Sequence, residues 1–204
     1  MSSDRQERAR RTSAAWTAGL VYGTVRTLVR FVLWPYLRTQ TTGRENIPLD
    51  GPVILAPVHR SNLDSIMLSP LSRRRIRALA KESLFTVPPL AWVLASLGAF
   101  PVRRETADRE SLRIAQELLV DQNILLVFPE GTRHEGEKVA ELFNGTAWLA
   151  ARTGSQVVPV GISGTGEAMP TGARFPHRTR VCMVVGPPIQ PPEPKAARSA
   201  LRNW

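Results

Sequence analysis

Apolar residues along this chain follow two patterns. The first is a set of short unbroken runs: Val53–Pro57, Ile76–Ala80, Ala99–Val102, Ile124–Phe128, Val157–Ile162 and Val181–Val185. Runs this short, bounded by turn formers and charges, are the form of strands buried on both faces. The second pattern lies between them, at helical spacing. Thr106–Val120 is its clearest case, with Leu112, Ala115, Leu118 and Leu119 on one face and Arg109 and Arg113 off it. Leu63–Leu71, Pro89–Leu97 and Phe143–Arg152 also read as helices. Gly98 and Gly154 follow the last two, where a left-handed residue often closes a helix. Strands alternating with helices predict an α/β domain, a mixed and largely parallel sheet flanked by helices. Sheets of this kind hold ligands beyond the carboxyl ends of their strands.

Ahead of this domain, the segment Ala14–Leu37 carries Trp16, Leu20, Val21, Leu28, Phe31 and Leu33 alongside Arg26, Arg30 and Arg38. Its uncharged run, Ala14–Val25, falls short of the ~20 residues that span a bilayer. Arg26 and Arg30 interrupt the apolar stretch and no small-residue cleavage pattern follows, which argues against a signal peptide. Trp16, Tyr22, Trp34 and Tyr36 suit the headgroup level of a membrane. We therefore expect residues 1–38 to be a basic N-terminus with amphipathic membrane-association helices. A face packed on the domain itself is compatible with this. Thr39–Pro52, with Gly43, Pro48 and Gly51, reads as a turn-rich connector, and the Pro-rich 187–194 as another.

Charge narrows the partners. The 204 residues, one domain in length, carry a net charge of +10, which calls for an anionic partner: nucleic acid, acidic lipid or a phosphorylated substrate. Aromatic residues are 6% and no basic-aromatic stacking surface or reading helix stands out, so no nucleic-acid partner is expected. The single cysteine, Cys182, excludes an intrachain disulfide and a multi-cysteine metal site; its apolar run predicts a buried structural thiol. The chain has no dinucleotide glycine fingerprint and no phosphate-loop lysine.

Two strand ends carry candidate chemistry. After Val53–Pro57 comes Val58-His59-Arg60-Ser61-Asn62-Leu63-Asp64. With His59 in the loop and Asp64 in the first turn of the next helix, the carboxylate can fold back onto one ring nitrogen. The other nitrogen is then free to take a proton from an alcohol. The plainer reading is an ordinary loop histidine beside a helix-start acid. After Ile124–Phe128 comes Pro129-Glu130-Gly131-Thr132-Arg133, where Arg133, the threonine hydroxyl and exposed amides can hold a phosphate. Glu130 would orient Arg133 or bind an acceptor hydroxyl; the plainer reading is a turn. Arg103 and Arg104 end a third apolar strand, and adjacent arginines are usually a solvated pair.

Taken in order, His59 to Asp64, Lys81-Glu82-Ser83-Leu84-Phe85, Gly98 to Arg103, Phe128 to Arg133 and Val157-Val158-Pro159-Val160-Gly161-Ile162 resemble the glycerolipid acyltransferases. That family includes the bacterial 1-acylglycerol-3-phosphate (lysophosphatidic acid) acyltransferases, and the resemblance runs from about Gly43 to Gly186. It implies that residues 39–204 are an acyltransferase catalytic domain. It implies His59 as general base and Asp64 as its orienting partner. It also implies that Glu130, Gly131, Thr132 and Arg133, with Arg103, bind the acceptor's glycerol phosphate. The expected reaction is one step, with no metal, no cofactor and no acyl-enzyme. The acceptor's free hydroxyl attacks the thioester of acyl-CoA or acyl carrier protein in phospholipid synthesis. Membrane lipids, a lysophospholipid acceptor and acyl-CoA are the expected partners, and the cytoplasmic membrane face the expected location. Another lysophospholipid or a glycolipid is the alternative acceptor. Departures from the usual pattern bear on that choice: Val58 replaces an asparagine, His134 a serine, and Phe143-Asn144-Gly145 lacks a customary lysine.

Overall fold

The computed structural model describes residues 2–102, 109–134, 136 and 138–191. Its centre is a seven-stranded sheet in the order β1-β7-β6-β2-β5-β3-β4. The strands are β1 (Gln40–Thr42), β2 (Val53–Pro57), β3 (Ile76–Lys81), β4 (Ala99–Val102), β5 (Ile124–Leu126), β6 (Gln156–Ser163) and β7 (Cys182–Val185). Strands β6, β2, β5, β3 and β4 run parallel. β7 is antiparallel to β6, and β1 is parallel to β7. The sheet is thus mixed and mostly parallel, and all six apolar runs became strands. β1, inside the expected connector, is the seventh. Cys182 is half-buried rather than buried, because it shares the outer face of β7 with the exposed Val184 while Met183 and Val185 face the core.

Side chains alternate between two cores, as the two-residue period of a strand requires. Val53, Leu55, Ile124, Leu126, Val158 and Val160 face one layer, which contains Val29, Trp34, Leu37, Met67 and Leu68. Ile54, Ala56, Leu125 and Val157 face the other, against Ile114, Leu118, Leu119, Leu149 and Ala150. The second layer comes from α5 (Arg109–Val120) and α6 (Gly145–Thr153), with Ala9 of α1 (Ser2–Ala14) in the same cluster. The first comes from the N-terminal segment and α4 (Asp64–Met67).

That N-terminal segment is more tightly integrated than its composition suggests. α2 (Trp16–Leu28) runs through a π-helical turn at Val29–Leu33 into α3 (Trp34–Tyr36). Pro35 has no N–H and its ring crowds the carbonyl four residues back, so the helix widens just before it. Arg30 lies 4.5 Å over the Trp34 ring. Of the four rings expected at a headgroup level, Tyr22 and Trp34 instead point inward. Tyr22 accepts from the amide of Ile76 at 3.1 Å, and Trp34 Nε1 donates to the Met67 carbonyl at 3.1 Å. Trp16, Leu20, Leu28 and Phe31 remain exposed. No helix among the described residues is long and apolar enough to cross a membrane.

The polar start of the chain is helical as well. In α1, Arg8 pairs with Asp4 and Arg11 with Glu7, both at 2.9 Å and one turn apart. Arg5 reaches Glu82 at 3.1 Å, and Arg10 pairs with Glu117. Elsewhere the expected helices shorten. Leu63–Leu71 is helical only over Asp64–Met67, because Pro70 has no N–H for the Ile66 carbonyl and disfavours helical backbone at Ser69; Arg44 binds the carbonyls of Pro70 and Leu71 beyond the helix. Phe143–Arg152 begins at Gly145, since the Phe143 amide is tied to the Pro129 carbonyl at 2.9 Å.

Inward and outward faces of the N-terminal helices should respond differently to substitution. Leu37→Ala removes a fully buried side chain and is expected to cost about 2–5 kcal/mol. Leu20→Ser, at a position 60% exposed, should stay within about 0.5 kcal/mol. Urea unfolding of the two variants measures both.

Candidate active site

Three adjacent strands bring the site together. β2 lies between β6 and β5 and is parallel to both, so the loops leaving all three emerge at one end of the sheet. The loop after β2 holds His59 and Arg60, the loop after β5 holds Thr132, Arg133 and His134, and Gly161–Ser163 end β6. Between them opens a cleft of about 990 Å³.

His59 is fixed on several sides. Its Nδ1 lies 2.9 Å from Asp64 Oδ2, and both residues are buried. The same oxygen accepts the amides of Arg60 at 2.7 Å and Ser61 at 2.8 Å. An oxygen already accepting from two amides serves the ring as an acceptor too, so Nδ1 carries the proton. The remaining ring nitrogen keeps its lone pair, and His59 lines the cleft. One face of the imidazole stacks on Phe128, with centroids 3.8 Å apart and planes 19° from parallel. Phe128 lies two residues past the end of β5 at Leu126 and covers the histidine from there. The His59 carbonyl accepts from the His134 amide at 3.0 Å, joining the two loops directly.

Glu130 makes the second joint. It is 1% exposed, and its carboxylate faces the protein rather than the cleft. Oε2 accepts from the His59 amide at 2.8 Å and from Arg60 Nη1 at 2.9 Å. Oε1 accepts from the Ala140 amide at 3.0 Å and from Arg60 Nη1 at 3.1 Å. Burial pushes its carboxyl upward, but the two amides and the Arg60 guanidinium pull harder, and it is held below the usual carboxylate range. The expected partner of Glu130 is therefore corrected. It is Arg60, adjacent to His59, and not Arg133 or an acceptor hydroxyl.

The remaining candidates divide. Thr132 and Arg133 are exposed and line the cleft. Gly131 has φ 70°, and a Cβ there would meet the Phe143 ring at 3.0 Å, so the turn demands glycine on both counts. Arg103 lies outside the described residues. Arg60 was missed from sequence, although its place beside His59 was the available signal. His134, noted only as a departure, lines the cleft with its Nε2 3.2 Å from Thr132 Oγ1. The wall leaving β6 adds Ser163, Thr171 and Glu167. Among the described residues no group of three or more His, Cys, Asp or Glu is placed to hold a metal ion.

A histidine–aspartate pair at the carboxyl ends of central parallel strands, beside an arginine-bearing turn, is an acid–base site open to an anionic ligand. The family comparison agrees with that class: the acyltransferase family model matches residues 38–163, and the chain belongs to this family. The chain is 31% identical over 144 residues to a chloroplastic 1-acyl-sn-glycerol-3-phosphate acyltransferase of Brassica napus, covering 69% of this chain and 42% of the relative. A 1-acyl-sn-glycerol-3-phosphate acyltransferase of Chlamydomonas reinhardtii is 34% identical over 167 residues, covering 79% and 49%. The chain thus spans less than half the length of these two relatives. Among solved structures, the 1-acyl-sn-glycerophosphate (LPA) acyltransferase PlsC from Thermotoga maritima superposes with a TM-score of 0.76 at 27% identity. That match covers 95% of this chain and 80% of the other.

Glu130→Gln tests the joint. Removing one partner of a buried, hydrogen-bonded ion pair typically costs about 3–5 kcal/mol. Because the folded carboxyl is held low, its stabilisation is present above the ordinary carboxylate range and is lost as pH falls through the folded value. Denaturation of both proteins should show a stability gap that is full at neutral pH and closes in acid.

Proposed function

We propose that this chain is an O-acyltransferase that moves an acyl group from a thioester to the free hydroxyl of a lysophosphatidic-acid-like acceptor. The observation that carries the reading is His59, its Nδ1 held by Asp64 at 2.9 Å, in a cleft that Arg133 and Thr132 also line. Family membership and the activities for which its relatives are named support it.

In this reading Nε2 of His59 takes the hydroxyl proton as the acceptor oxygen attacks the thioester carbonyl. Asp64 stabilises the imidazolium that forms. Collapse of the tetrahedral intermediate breaks the carbon–sulfur bond, and the departing thiolate recovers the proton from His59. The products are an ester and a free thiol, with no acyl-enzyme between. A positioned base of this kind contributes about 10²–10⁴ in rate. Arg133 and Thr132 receive the acceptor phosphate, and Arg103 is assigned there from its place in the family pattern. Glu130 acts one step back, holding the His59 loop and Arg60. The donor is acyl-CoA or acyl carrier protein. The enzyme works on a membrane surface, its cytoplasmic face, with the exposed Trp16, Leu20, Leu28 and Phe31 turned toward lipid. Residues 1–38 serve that association and residues 39–204 the chemistry, although both share one core.

One observation favours a second acceptor. Glu167, exposed on the cleft wall that leaves β6, with Ser163 and Thr171 nearby, offers a carboxylate and hydroxyls where a bare phosphate gains nothing. A lysophospholipid or glycolipid headgroup carrying hydroxyls or an amine would use them. A panel of lysolipids with labelled donor, products resolved by headgroup, separates the two readings.

His59→Ala is expected to abolish transfer in a folded protein, and Asp64→Asn to lower kcat by about 10²-fold or more. Near-wild-type turnover by either variant would remove the mechanism. Arg133→Ala should raise KM for a phosphorylated acceptor about tenfold or more, as loss of a charge-assisted contact of roughly 1.5–3 kcal/mol requires. An acceptor without phosphate should be much less affected, and equal losses on both would overturn the assignment.

A further inference from the structure

A threonine hydroxyl has a single hydrogen to give, so Thr132 can donate to an anion only if that hydrogen is not already spent. Its oxygen has a partner within the cleft: Nε2 of His134 lies 3.2 Å from Thr132 Oγ1. The direction of this hydrogen bond decides what the hydroxyl offers a ligand. If Nε2 is bare, it takes the hydroxyl hydrogen, and only lone pairs of Oγ1 are left to face the cleft. Phosphate oxygens are acceptors and gain nothing there. If Nε2 carries a hydrogen, it donates to Oγ1, and the hydroxyl hydrogen is released toward the ligand.

The fold holds this pair from both ends. The Thr132 amide donates to the Glu130 carbonyl at 2.8 Å, and the His134 amide donates to the His59 carbonyl at 3.0 Å. The buried Glu130 carboxylate in turn accepts the His59 amide, so both carbonyls belong to one joint beneath the site. Anchored there, the His134 ring stays within reach of the hydroxyl. His134 is half-buried and Thr132 exposed, and both line the cleft with Arg133. The other arginine of the cleft, Arg60, is committed to Glu130 and to the carbonyls of His59 and Lys138. An anion on this side therefore meets Arg133 and whatever Thr132 and His134 together present.

We propose that His134 is a positioning residue for the acceptor phosphate, acting through Thr132. With Nε2 protonated, as the neutral tautomer or as the imidazolium, the ring holds Oγ1 as an acceptor. The threonine hydrogen is then aimed at a phosphate oxygen beside the Arg133 guanidinium. A headgroup bearing hydroxyls both donates and accepts and has no need of that orientation, so the pair favours a phosphorylated acceptor. This rests on the reading of Thr132 and Arg133 as the phosphate side of the cleft.

The test uses the full chain with a short-chain lysophosphatidic acid and the corresponding unphosphorylated monoacylglycerol. His134→Phe keeps a ring and removes the N–H. It is expected to raise KM for the phosphorylated acceptor about three- to tenfold with kcat held, as loss of a single hydrogen bond requires. The unphosphorylated acceptor should be much less affected. His134→Gln, whose side-chain amide can donate to Oγ1, should recover most of the loss. In a Thr132→Val background His134→Phe should raise KM no further, because the two side chains act as one unit. Equal losses on both acceptors, or losses that add in the double variant, would overturn the proposal. Should His134→Phe fail to fold, the parent decides. It has three histidines, so the imidazole nitrogen resonances are separable. With glycerol 3-phosphate bound, Nε2 of His134 should be protonated; a bare Nε2, or no binding of this probe, would equally sink the idea. That measurement needs no turnover. A parent that shows the protonated nitrogen but acylates no lysolipid would keep His134 as a phosphate-site residue and remove the acyltransferase reading.

Discussion

One buried carboxylate joins the two halves of the site. Glu130 accepts hydrogen bonds from the amides of His59 and Ala140 and from Arg60, so a single side chain positions the loop after β2, the loop after β5 and the residues beyond it. An ion pair this deep is sustained only when the remaining lone pairs are also satisfied, and here the two amides do that. Its consequence is positional. His59 is tethered through its own backbone to the loop that carries Arg133, so the histidine and the arginine that lines the cleft are positioned together. The Asp64 contact and the Phe128 stack then set the orientation of the ring on that fixed backbone.

This arrangement depends in turn on the parallel order of β6, β2 and β5. A parallel neighbour on each side gives β2 two adjacent loops at its carboxyl end, and no antiparallel return strand intervenes. The cores on both faces hold the three strands in register, with Ile54, Leu55, Ile124, Leu125 and Val158 almost completely buried. The N-terminal helices contribute Trp34 and Leu37 to one of those cores. The element with the outward aromatic face is therefore also structural, and binding to a surface would be felt in the layer beneath the site.

The cleft is not uniformly cationic despite the charge of the chain. Arg133 and Thr132 stand on the side that leaves β5, while Glu167, Ser163 and Thr171 stand on the side that leaves β6. His59 sits between them, on the middle strand. A ligand held beside His59 therefore meets a guanidinium and a hydroxyl on one side and a carboxylate with hydroxyls on the other.

The local pattern of the sequence was enough to determine the strand runs, their alternation with helices, the class of sheet and the two strand-end motifs. Each rests on neighbours a few residues apart: apolar runs bury strands, and His59 and Asp64 are close enough for the chain to fold one onto the other. The i,i+4 charges of α1, Asp4 with Arg8 and Glu7 with Arg11, were equally legible and were read only as polarity. Tertiary structure alone decided the rest. Arg60 and Glu130 are 70 residues apart, and nothing local to either names the other. Which rings of the N-terminal segment face inward depended on Ile76 and Met67, whose free backbone groups took Tyr22 and Trp34 as partners and left Trp16 outside. Short-range periodicity specifies which elements form. The choice of partner for a buried polar group is made only when the sheet has ordered the loops that bring the candidates together.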